Sequence, residues 1–272
     1  MRTTGLTGLA LVALLIAGAC RAQSAAPTAA GSPEWVVEQF YARPSFPDRG
    51  KHVMGELAGE QAAMPTIGQQ LSPAARVSSH AVQRDSASAV FATAVRDTNG
   101  AMDFYTYLRR RDGAWKIYAI RTLALPGLFY MARDELRKTR PLPDSLAREL
   151  RNIELTAQTD SALKAYFLAH RAAFDEIANA FAATGLHLVT SDAAGKDPRL
   201  SPIAAKLRAL DLNAVERDDE IGSCVLVNVG GMTDNSVGFL GTSAECSAPE
   251  MDPTHYIYVE PLAPGWYIYK TT

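Results

Sequence analysis

The chain has 272 residues but only three cysteines and five histidines. No two of the histidines (His52, His80, His170, His187, His255) lie within five residues of each other, so the paired histidines of a zinc helix are missing. Neither charge sign dominates. Lys and Arg total 27, Asp and Glu total 29, and the isoelectric point near 6.2 gives no basic footprint for nucleic acid. The apolar run Leu6 to Ala19 falls short of the roughly 20 residues that span a bilayer as a helix. There is no G-x-S-x-G elbow. The glycine-rich "VGGMTDNSVG" lacks the lysine of a phosphate loop, and "ERDDE" at 216–220 lacks the glycine and final glutamate of a calcium loop. These absences leave no catalytic residue, metal or cofactor to assign.

What is present begins at the N-terminus. A basic Arg2, a short apolar core and small residues before position 20 predict an export signal over 1–19. Ala17-Gly18-Ala19 suits ordinary cleavage before Cys20, and Ile16 to Cys20 also resembles a bacterial lipobox, in which the cysteine becomes the acylated N-terminus. The favoured leucine three residues before the cysteine is Ala17 here. Acylation of Cys20 therefore stands against simple removal of the leader. By resemblance to lipoprotein sorting, Arg21 points to the periplasmic face of the outer membrane; without the lipid the protein is soluble in the periplasm or secreted. Residues 20–32, rich in Ala, Ser, Pro and Thr, read as a flexible tether. In an oxidising compartment Cys224 and Cys246 suit a disulfide, which would add on the order of 3 kcal/mol through loop closure; the alternative is two buried free thiols.

Residues 33–125 form the first predicted unit. Ser32 and Pro33 open a helix with Trp35, Val36, Phe40 and Tyr41 on one face. Three strands follow: Asp85 to Arg96, Ala101 to Arg110 and Ala114 to Leu123. Asn99-Gly100 and Asp112-Gly113 are two-residue turns between them. That register sets Arg96 opposite Asp103 and Ala94 opposite Tyr105, then Tyr107 opposite Tyr118 and Tyr105 opposite Ile120. Phe91, Val95, Phe104, Leu108 and Ile117 share one face. Tyr105, Tyr107, Tyr118 and Ile120 share the other, rimmed by Asp103 and Arg109. An N-terminal helix and a closing meander ending in "DGAWKIYAIR" resemble the NTF2-like (cystatin-like) fold, which implies a curved antiparallel sheet wrapped on a helix and, in active members, polar residues inside the cone.

Residues 126–183 read as a helical connector, with Asp160 as a candidate cap of its longest helix. That helix carries Leu163, Phe167, His170, Phe174, Ile177 and Phe181 at helical spacing. Residues 184–272 read as a smaller α+β module of one or two helices and two hairpins, with "GLHLVTS" as a further candidate strand. It resembles C-terminal modules of exported bacterial proteins that end in "GWY". The whole is an α+β chain with two candidate binding surfaces. One is Asp103, Tyr105, Tyr107, Arg109 and Tyr118; the other is Tyr256, Tyr258, Trp266, Tyr267 and Tyr269. Both are also explained by ordinary packing. The expected function is a non-enzymatic envelope binding or accessory lipoprotein, held by its lipid and meeting a protein partner, for instance as an inhibitor or immunity protein. The rival is a small-molecule or enzymatic protein using Asp103, Tyr105 or His80 inside the cone, and a third reading is a purely structural lipoprotein.

Overall fold

Helix α1 (Pro33–Tyr41) starts where Ser32 Oγ accepts the Trp35 N–H at 3.2 Å and Pro33 takes a position that needs no N–H. In the computed structural model, which describes residues 28–272 except 99, 194–196, 219, 220, 223 and 233, this helix lies on one face of a four-stranded antiparallel sheet. The strands run in sequence order: β1 (Arg76–Arg84), β2 (Ser88–Asp97), β3 (Gly100–Arg111) and β4 (Ala114–Arg121). The predicted leader, Cys20 and most of the tether fall outside the described residues, as does Asn99.

The sheet has one strand more than the three expected. β1 is an edge strand whose residues are almost all exposed, so it shows no apolar alternation to read. The first hairpin is also displaced by two residues. Arg96 pairs with Ala101 and Ala94 with Asp103, because Asp97 pairs with Gly100, which already belongs to β3. A slip of two preserves the faces, and Phe91, Val95, Leu108 and Ile117 do lie together under α1. The second turn is placed as expected, with Asp112 (φ +53°) and Gly113 (φ +77°) giving the two left-handed residues of a tight hairpin. One extra residue, Tyr118, then bulges from β4. Tyr107 pairs with Ala119 and Tyr105 with Arg121, and Ile120 turns to the α1 side.

Three helices follow: α3 (Gly127–Lys138), α4 (Asp144–Thr156) and the long α5 (Asp160–Ala182); the short α2 (Ile67–Gln70) precedes the sheet. The second sheet is β5 (Leu188–Thr190), β6 (Ala214–Arg217), β7 (Val225–Met232), β8 (Asn235–Gly241), β9 (Tyr256–Ala263) and β10 (Trp266–Thr271), with α6 (Ser201–Ala209) after β5. Its order is β5-β6-β7-β8-β10-β9, all antiparallel, so the C-terminal strand lies inside the sheet. The four-residue β6 went unpredicted because it is short and runs into the acidic stretch.

One core crosses all three predicted segments. Val90, Ala92, Tyr105 and Tyr107 of the first sheet join Leu163, Phe167, Phe174, Ile177 and Phe181 of α5 and Val227, Phe239, Ile257 and Ile268 of the second sheet. The connector helix is thus the centre of the protein. On the opposite face of the second sheet a smaller cluster surrounds Cys224 and Cys246, which form a disulfide with Cα atoms 5.3 Å apart. Among the described residues no helix is long and apolar enough to cross a membrane.

Candidate functional site

The site is built where the two sheets and α5 meet. Thr159, not Asp160, caps α5, accepting the Ala162 N–H at 3.4 Å. That places Asp160 in the first turn, where its carboxylate suits the positive end of the helix dipole. The Asp160 N–H donates to Asp103 Oδ2 at 2.7 Å, so two acids share the helix start. Lys270 of β10 answers them, with Nζ 2.7 Å from Asp160 Oδ1 and 3.8 Å from Asp103 Oδ2. The Tyr105 hydroxyl donates to both Asp160 oxygens at 2.9 and 3.1 Å. Burial, and the Asp160 charge beside it, hold the Asp103 carboxyl above the usual carboxylate range against the pull of Lys270.

The network continues across the sheets. The Tyr105 ring stacks on Tyr258 at 4.5 Å, and the Tyr258 hydroxyl donates to Glu260 Oε2 at 2.7 Å. Lys164 Nζ donates to Glu260 Oε1 at 2.5 Å, and His80 Nε2 lies 2.9 Å from Oε2. Burial pushes the Glu260 carboxyl up, but the bonds from Lys164, His80 and Tyr258 together outweigh it and hold the group below its ordinary range. A carboxyl depressed in the fold contributes stability above its unfolded pKa and loses it as pH falls through the folded pKa. Glu260→Gln is therefore expected to cost roughly 1–3 kcal/mol at pH 7. The gap from the native protein should close in acid, below the carboxylate range. Urea unfolding at both pH values measures this, and a gap that is unchanged in acid contradicts it.

Of the first predicted surface, Tyr105 and Tyr107 are interior. Tyr107 donates to the Ile257 carbonyl at 2.8 Å, and β9 with the first turn of α5 closes this face. Arg109 stays exposed over the half-buried Tyr118 ring, 4.6 Å from its centroid. Asp103 and Tyr105 do converge, through Asp160, while His80 joins only by way of Glu260. The second surface is corrected in the same way. Tyr256, Tyr258, Trp266 and Tyr269 are buried, with only Tyr267 half-buried. Tyr256 and Tyr269 line a separate polar cleft of about 430 Å³ with Glu216, Asp218 and His255.

The open space lies at the edge of the tyrosine face. A groove of about 710 Å³ runs between the β2–β3 hairpin and α3, lined by Leu71, Val95, Met102, Phe104, Tyr130 and Arg133. Ala157, Gln158 and Thr159 form its floor. The loop between α4 and α5 is fixed there by the end of α4, where Asn152 Nδ2 donates to the Val229 and Asp211 carbonyls at 2.6 and 2.7 Å. Thr156 fits against Gly230 of β7, where any Cβ would collide with its hydroxyl. Behind Met102 and Tyr130, a chamber of about 60 Å³ reaches Asp103 and Lys270. Among the described residues no group of three His, Cys, Asp or Glu side chains is placed to hold a metal. Asp160, Lys270, Met102 and Tyr130 carry no signal of a site in the sequence. Asp160 read as a cap, and Lys270 sits in an unremarkable strand end.

Comparison with protein-family models, with curated proteins and with solved structures found no match to this chain.

Proposed function

We propose that this is an exported, non-enzymatic envelope protein that binds a small amphiphilic molecule in the groove between the β2–β3 hairpin and α3. The groove itself carries the reading. Its volume falls within the range of ligand sites, and its wall is mainly apolar, with Asp97, Arg133, Gln158 and Thr159 as its polar groups. Met102 and Tyr130 stand exposed in that wall instead of collapsing onto it. The disulfide supports an oxidising compartment. An α1-covered meander supports the NTF2-like reading of 33–125. The acyl anchor at Cys20, on the periplasmic face of the outer membrane, belongs to the same reading; palmitate labelling of the full chain, with Cys20→Ala as the blank, decides it. A protein partner is the second reading, favoured by exposed Leu128, Met131 and Met232. Leu128 and Met232 line a different cleft, on the α4 side of α3.

Titration with the neutral dye N-phenyl-1-naphthylamine tests the groove. Saturable fluorescence enhancement is expected, with affinity reduced roughly tenfold or more by Met102→Glu, which sets a charge in the apolar wall. Met102 is half exposed, so the variant should keep its thermal midpoint. No enhancement, or enhancement indifferent to Met102→Glu, overturns the reading.

A further inference from the structure

The small chamber and the groove share the walls made by Ala101, Met102, Tyr130, Ala157, Gln158 and Thr159. An apolar chain in the groove therefore points its end toward a polar wall. Two groups of that wall are deeply buried: the Lys270 side chain is 4% exposed and the Asp103 side chain 7%. Lys270 carries three N–H donors, and Asp160 engages it at 2.7 Å. Asp103 is 3.8 Å away, too far for a direct hydrogen bond, so a ligand head with two adjacent polar atoms can meet both groups side by side. The chamber holds about 60 Å³, several times the roughly 10–15 Å³ that a single water needs.

We infer that this chamber is the head-group subsite of the groove, and that it selects an uncharged head with both a donor and an acceptor, as in a primary amide. The inference rests on the groove reading above. An anionic head would face the buried Asp103 carboxylate that lines the chamber. A cationic head would face the buried Lys270 ammonium. Either leaves a desolvated like-charge contact. A neutral amide satisfies both sides, its carbonyl accepting from Lys270 Nζ and its N–H₂ donating to Asp103. Thr122 and Gln158 line the same chamber and complete its polar wall.

Displacement of bound N-phenyl-1-naphthylamine by decanamide, decanoate and decylammonium, each at pH 7, tests the selection. Decanamide is expected to displace the dye at a concentration roughly tenfold lower than either ion. Asp103→Asn, which keeps the shape but removes the charge, should narrow the gap between amide and carboxylate. Equal displacement by all three, or a charged head as the strongest, overturns the inference and leaves the groove reading standing. Failure of the dye to bind at all removes the groove reading first. Should Asp103→Asn not fold, the ranking on the native protein decides alone.

Discussion

Lys270→Met is expected to lower the free energy of unfolding by roughly 3–5 kcal/mol, the cost of removing one partner from a buried charge group. The ammonium lies among Asp103 and Asp160, both with side chains less than one-tenth exposed. Without it, two carboxylates remain beside each other in the interior, and the helix start is their main compensation. The residue also ties the last inner strand to β3 and to α5, so its loss loosens three elements together. The deficit should depend on pH with a definite sign. A carboxyl raised in the fold binds its proton more tightly folded than unfolded, which favours the fold in acid and disfavours it as pH rises through the folded pKa. The gap between variant and native protein is thus largest near neutrality and shrinks toward the ordinary carboxylate range. Adding Asp160→Asn to Lys270→Met should recover part of the loss. Chemical unfolding followed by tryptophan fluorescence measures all three proteins; a loss under about 1 kcal/mol for Lys270→Met would show that the cluster is solvated.

Phe174→Ala should cost a similar amount, roughly 3–5 kcal/mol, through the lost transfer energy and the cavity left behind. Phe174 is fully buried in the middle of α5. Its ring lies 5.0 Å from Phe167 and 4.9 Å from Phe239, with Trp266 at 6.0 Å. Those neighbours cannot easily move in to fill the space. Trp266 is held by its own bond from Nε1 to Asp175 Oδ1 at 2.8 Å, and Phe239 is fixed within β8. Dye affinity should change little, because Phe174 lines neither the groove nor the chamber. A variant that loses binding but not stability would place the ligand elsewhere. A variant that loses neither would mean the centre of the molecule is not the α5 interface.

Local chemistry was the legible part of this sequence. Ser32-Pro33 marked a helix start, Asp112-Gly113 fixed a hairpin, and the stripe from Leu163 to Phe181 marked the buried face of a long helix. The division into three units was harder to read, since a stripe that wide needs cover on more than one side, and both sheets supply it. The tyrosines show why residue type alone did not locate the site. Tyr105, Tyr107 and Tyr258 are as suited to an interface as to a surface, and here the interface lies within the chain. Lys270 and Asp160 are 110 residues apart, and nothing local marks either as buried. The groove depends on how α3 packs beside the β2–β3 hairpin, which leaves no motif.

Photolabelling with a diazirine-bearing decyl probe, followed by peptide mapping, tests the central claim most directly. Labels are predicted on the groove wall, at Leu71, Met102, Phe104 and Tyr130, and they should disappear when decanamide or unlabelled dye is added in excess. Labels concentrated at Leu128, Met131 and Met232, or spread over the surface and indifferent to competition, would contradict it.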